Sequence, residues 1–177
     1  MSGTDPRRSH ISTAINLDRG DWSDLTADAI LAQETETELP RFTVDDAHWL
    51  GERIVSLAGQ KESDITVLVR HGHRSVFLRA GSATVLDNEG WVRRKSNVVE
   101  LLDMSSLRAN RVWAGDEVAF LANKAVDPAQ YAIHGGAVPV RVSGVGLVGV
   151  ATCSCLVSEA DHTLVVQALA DLREHLS

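Results

Sequence analysis

The chain has 177 residues, 44% of them hydrophobic, which suits one domain of ordinary size whose core needs no disulfide or metal staple. A formal charge of −7 argues against non-specific binding to nucleic acid or to an anionic membrane, since both need a cationic face. No apolar run of roughly 18 residues occurs, so no membrane span is predicted, and the first residues carry no apolar signal core. Residues 1–23 hold Gly, Ser, Thr, Asp and Arg with no hydrophobic period, and are expected to be a flexible tail ahead of a single domain at 24–177. Asp24–Glu36, with Leu25, Ala29, Ile30 and Leu31, predicts a short amphipathic helix that Pro40 closes off.

Thr43 followed by Asp46 is a helix start of the capping-box kind, and Ala47, Leu50, Ile54, Leu57 and Ala58 stripe one face up to Gly59. Ile65–Val69 and Ser75–Arg79 predict a hairpin turning at His71-Gly72-His73. Trp91, Lys95, Val98, Val99 and Leu102 predict a helix over Asn88–Asp103. A further helix is expected from Ser105 or Ser106 to about Lys124, ended by Asp127-Pro128. Ala137–Val142 and Leu147–Cys155 flank Ser143-Gly-Val-Gly146, which reads as a strand, a glycine turn and a strand. Ser158-Glu-Ala-Asp161 resembles a capping box, and Val165, Ala168, Leu169, Leu172 and Leu176 stripe a last helix. Strands and helices that do not alternate strictly favour an α+β fold with an antiparallel sheet, and a short strand near Tyr131 would bring the strand count to five.

Several motifs carry a family resemblance. Trp91-Val-Arg-Arg-Lys95, Ser105-Ser106-Leu107, Tyr131-Ala-Ile-His-Gly-Gly-Ala-Val-Pro-Val-Arg141, the glycines 144, 146 and 149, and Asp161-His162 together resemble the heme-degrading-domain superfamily. That group is also called HbpS-like or GlcG-like, and the similarity is to its branch of short bacterial and fungal proteins, over about Asp24 to Leu176. The resemblance implies a profilin-like fold, a five-stranded antiparallel sheet flanked by helices as an α/β/α sandwich. It also implies a homo-oligomer and, in some members, heme binding or degradation. Two departures stand out: Ser154-Cys-Leu-Val157 replaces the family's Ser-Gly-Leu-Pro, and Ala160-Asp-His162 replaces Glu-Asp-His.

The candidate ligand-binding residues are His134, Gly135, Gly136, Arg141, Arg94, Lys95 and Ser106. His134 can act as donor, acceptor or axial iron ligand, or simply cap the glycine turn beside it. His162 is a second candidate for metal ligation or for acid–base chemistry, against packing or helix capping. Gly135 and Gly136 can offer N–H groups to an anion, or form a bulge. Arg141, Arg94 and Lys95 can bind carboxylates such as heme propionates, or form structural ion pairs. His71 and His73 form a His-x-His pair without an evident third ligand, and Trp91 is read as core. Cys153 and Cys155, two apart on a strand, are expected to share a face as reduced thiols, which suits a cytoplasmic protein. No serine elbow, phosphate loop, dinucleotide fingerprint or zinc-protease motif occurs. Three functions stay open: an oligomeric binder of heme or another carboxylate-bearing ligand, an enzyme using the same pocket, and an oligomeric interaction module.

Overall fold

The structure is a computed structural model that describes residues 15–177. Its elements run α1 (Ala27–Glu36), α2 (Val44–Gly59), β1 (Thr66–His71), β2 (Arg74–Arg79), α3 (Leu86–Leu102), α4 (Ser106–Val112), α5 (Glu117–Lys124), β3 (Ala137–Val142), β4 (Gly146–Ser154) and α6 (Ser158–His175). Among the described residues the sheet has four antiparallel strands in the order β2-β1-β4-β3. None of the described helices is long and apolar enough to cross a membrane.

Side-chain alternation explains the layering. Along β4, Ala151 and Cys153 turn to the face covered by α2 and α6, beside Val67, Val69, Val138 and Val140. Leu50, Ile54 and Leu57 of α2 and Leu164, Val165 and Leu169 of α6 fill that side. Val150 and Ala137 turn the other way and meet Val99 of α3, and Ser96 of α3 hydrogen-bonds Thr152 at 2.7 Å. Each fully buried aliphatic side chain contributes roughly 1.5–3 kcal/mol. The arrangement is an α/β/α sandwich built on period two in the strands and 3.6 in the helices.

Local chemistry sets the element ends. Thr43 Oγ1 accepts the Asp46 N–H at 3.2 Å while Asp46 Oδ2 accepts the Thr43 N–H at 2.8 Å, a reciprocal cap on α2. Where one helix was expected through to Lys124, the chain forms two. Ala114 and Gly115 take positive φ (50° and 77°), and Asp116 then caps α5 by accepting the Ala119 N–H at 2.9 Å.

The fifth strand near Tyr131 is absent from the described residues. The Tyr131 N–H is donated to the Asp127 carbonyl at 3.1 Å and the Ile133 N–H to the Glu117 carboxylate at 2.9 Å, which leaves neither for a ladder. Leu39 instead makes an isolated parallel bridge to Val142 at the outer edge of β3. Of the tail expected over 1–23, residues 1–14 lie outside the described residues. Leu17 is buried against the α2–α6 core, and Trp22 packs on Leu25, Ile30 and Leu107.

Candidate functional site

Three segments meet on the α3 side of the sheet: the first turns of α3, the stretch just before β3, and the turn joining β4 to α6. They enclose a cleft of about 300 Å³ lined by Asn88, Trp91 and Lys95 of α3, by His134, and by Ser154, Cys155, Leu156 and Ser158. That volume lies at the lower end for small-molecule sites.

The wall nearest solvent is aromatic. His134 sits edge-on to Trp91, with ring centroids 5.0 Å apart, and its side chain is 47% exposed. Its Nε2 lies 3.6 Å from Glu117 Oε2, the carboxylate that also accepts the Ile133 N–H. The Trp91 indole N–H donates to Asp87 at 2.9 Å, so its polar end is satisfied one turn back along α3. The Arg94 guanidinium lies 4.0 Å over the Trp91 ring, a cation–π contact. Arg94 and Arg93 also line a second hollow of about 520 Å³ along the same helix, with Gln130 on its rim. Trp91, expected in the core, is therefore a half-buried rim residue.

The floor is polar and buried. Lys95 Nζ donates to Asp161 Oδ2 at 3.0 Å, to Ser154 Oγ at 3.3 Å and to the Cys153 carbonyl at 3.3 Å. An ammonium group has three protons, so all three have protein acceptors. The other Asp161 oxygen accepts the Leu156 N–H at 3.2 Å. Asp161 thus holds the turn and the amine, and makes no capping box with Ser158; α6 begins without a side-chain cap. Burial is the main cause that raises the Asp161 carboxyl to about 6, against the opposing pull of Lys95. Burial also pushes the Cys153 thiol well above its ordinary value, and the neighbouring Asp161 charge adds to it.

Gly135 and Gly136 let backbones close behind this floor. A Cβ on Gly135 would lie 2.2 Å from the Ser158 carbonyl oxygen. One on Gly136, at φ +126°, would lie 2.4 Å from the Cys153 carbonyl oxygen and 3.1 Å from Lys95 Nζ. The turn opposite carries Cys155, which stands one residue past the end of β4 at φ +126° and is exposed. Cys153 and Cys155 are both free, but they do not share a face as an unbroken strand would place them.

The other sequence candidates lie elsewhere. Arg141 pairs with the Asp103 carboxylate, donates to the Asp103 carbonyl at 2.7 Å and approaches Glu34 at 3.7 Å. Ser106 is buried, accepting the Ala137 N–H at 3.0 Å and so fastening α4 to β3. His162 is buried with Nε2 3.0 Å from Gln33 Oε1, and its Nδ1 has no partner among the described residues. Burial, with the Arg111 charge adding, lowers its imidazole to about 3, so it is neutral. His71 Nε2 lies 3.1 Å from the Phe42 carbonyl with its ring stacked on Phe42, while His73 is exposed near Glu100. No group of three His, Cys, Asp or Glu side chains among the described residues is placed to hold a metal ion.

Known proteins match this chain over most of its length. A family model described as "Haem degrading protein HbpS-like" matches residues 42–170. A UPF0303 protein of Streptomyces avermitilis is 38% identical over 138 residues, covering 78% of this chain and 85% of its own. A UPF0303 protein of Brucella canis is 35% identical over 153 residues, covering 86% and 90%. Among solved structures, the Ybr137w protein superposes with a TM-score of 0.78 at 24% identity, covering 85% of this chain and 89% of that one. The PduOC:heme complex superposes with a TM-score of 0.60 at 14% identity, covering 74% and 94%. The structural likenesses establish the fold, and the sequence matches establish descent: the chain belongs to the HbpS-like haem-degrading protein family.

Proposed function

We propose that the chain binds heme, or a related planar molecule bearing carboxylates, at the Trp91–His134 cleft. The observation that carries this is one accessible imidazole, one indole and one guanidinium in contact along the same rim: His134 edge-on to Trp91, and Arg94 over its ring. This donor set fits the group. His134 would present a nitrogen to the iron, Trp91 an aromatic surface, and Arg94 with Arg93 cations for the carboxylates. Lys95 is not part of that cation set, because Asp161, Ser154 and the Cys153 carbonyl take its protons. The family description and the heme-bound structural neighbour support the same ligand class. Heme, when bound, supplies a redox-active iron, and the chain's own residues hold and orient it.

The test is a heme titration followed by absorbance, on wild type, His134→Ala, Arg94→Ala and the turn variant His71→Ala/His73→Ala, each checked for folding. Losing one charge-assisted or coordinating contact in a partly desolvated cleft should weaken binding roughly ten- to a hundred-fold. The turn variant should bind like wild type. Loss confined to the turn variant would move the site away from the cleft, and a wild type with no saturable uptake would sink the heme reading.

A further inference from the structure

The floor of the cleft holds a group that heme binding leaves unused. The chain has three lysines, Lys61, Lys95 and Lys124, of which Lys61 and Lys124 are exposed and Lys95 is 3% exposed. The buried amine nevertheless lines the cleft. We propose that Lys95 is a reactive amine that condenses with a small aldehyde or ketone entering between Trp91 and His134, with Asp161 and Ser154 moving the protons. This activity shares the cleft with the heme reading but does not rest on it.

Three features of the geometry support it. Asp161 is fixed on the amine at 3.0 Å because its second oxygen is tied to the Leu156 N–H. Ser154 places a hydroxyl 3.3 Å from the same nitrogen, so a proton relay stands beside the attacking atom. The bare Gly136 backbone closes behind the amine, where a Cβ would sit 3.1 Å from it and 2.4 Å from the Cys153 carbonyl oxygen, and so holds the amine at the cleft floor. Schiff-base lysines are typically drawn out of water into a pocket where a neighbouring group can take up and return the amine's proton, and Asp161 stands in that position. The raised proton affinity of Asp161 suits it to that role.

The chemistry balances without an outside oxidant or reductant. The Lys95 ammonium gives a proton to Asp161, and the freed lone pair forms a C–N bond as the carbonyl π bond opens. The nitrogen passes a proton to the new alkoxide through the Ser154 hydroxyl, which gives a carbinolamine. Asp161 returns its proton to the carbinolamine hydroxyl, the C–O bond breaks and water leaves. The product is an iminium cation that keeps its ion pair with the Asp161 carboxylate. A cleft of about 300 Å³ has room for a small aldehyde or ketone to reach the amine.

The experiment traps the imine. The folded full chain is incubated with limiting benzaldehyde or glycolaldehyde and cyanoborohydride, and adducts are located by peptide mass spectrometry. Reductive alkylation at Lys95 should exceed that at Lys61 and Lys124 by about tenfold or more, and the preference should vanish in urea-denatured protein. Ser154→Ala should slow Lys95 labelling about tenfold while leaving the exposed lysines unchanged. Equal or lower labelling of Lys95 in the folded wild type would overturn the proposal and leave a structural ion pair. A parallel heme titration separates the two readings. Lys95 labelling without heme uptake upholds the imine alone, whereas heme uptake without Lys95 preference overturns it alone.

Discussion

Asp161 and His162 are adjacent and both buried, yet burial moves their protons in opposite directions. The carboxyl is raised to about 6 and the imidazole lowered to about 3. Both shifts disfavour charge, which is negative on one and positive on the other. For Asp161 the native state holds a proton that the unfolded chain has lost between about pH 4 and 6, so its stabilising contribution fades as pH rises through that range. For His162 the unfolded chain gains a proton below about 6.5 that the native state refuses, so its contribution fades as pH falls. The two slopes oppose each other between pH 4 and 6. We predict that His162→Asn makes the slope of unfolding free energy against pH more negative there, by roughly 1 kcal/mol per pH unit, about the effect of one proton. Urea titrations at several pH values would check this, and an unchanged slope would contradict it. At this scale the sequence was legible for what each residue type can do, and less so for its partner. Lys95 and Asp161 both belong to motifs that carry the family resemblance. Their pairing joins residues 66 apart, across α3, β4 and α6, and no local spacing signals it. Arg141 shows the converse, since a cation beside a glycine turn looks like a ligand binder until Asp103 and Glu34 are placed next to it.

Elements whose ends are set by local hydrogen bonds were readable, and those set by distant competition were not. The reciprocal Thr43–Asp46 cap was visible as letters three apart. Thr43→Ala should therefore cost about 1 kcal/mol, read as a lower urea midpoint at unchanged m-value. The strand expected near Tyr131 does not form because Glu117, on a helix separated from α4 by the turn at Ala114 and Gly115, takes the Ile133 N–H. The β4–α6 turn is the place where local chemistry is strained. Cys155 holds φ +126°, a conformation that glycine adopts freely and other residues reach at a cost of order 1–3 kcal/mol. Glycine at this position also loses more entropy on folding, by about 0.5–1 kcal/mol, so the two effects partly offset. Cys155→Gly should raise Tm by a few degrees in calorimetry, and a fall would show that the thiol makes a contact that outweighs the backbone strain.

At the scale of the whole molecule, the order of strands and helices points to an α+β fold with an antiparallel sheet, and the family resemblance supplies the flanking helix layers, which the structure shows around four strands rather than five. The boundary of the domain was less visible, because Leu17 and Trp22 are isolated apolar residues in a polar stretch. Leu17 is 6% exposed and joins the α2–α6 core. Leu17→Ala should cost about 2 kcal/mol, lowering Tm by several degrees, whereas a flexible attachment would show no change. The homo-oligomer implied by the family resemblance is a separate expectation. Light scattering at micromolar concentration should return a multiple of 19.1 kDa, and a mass near 19.1 kDa itself would refute it.

The two borders of the sheet are not equivalent. Along β3, Leu39 occupies the outer backbone groups of Arg141 and Ser143, and Pro139 has no N–H to offer. Along β2, the outer border of Arg74–Arg79 has no strand beside it among the described residues. Growth of an endless fibril by stacking sheets side by side needs two open borders, one to give and one to receive. Among the described residues a single border is open, so a continuation of the sheet between copies would join β2 to β2 about a two-fold axis and stop there. The asymmetry would make sheet extension self-terminating, a protection against runaway polymerisation that Leu39 and Pro139 share with Ser106, which takes the Ala137 N–H at the start of the same strand.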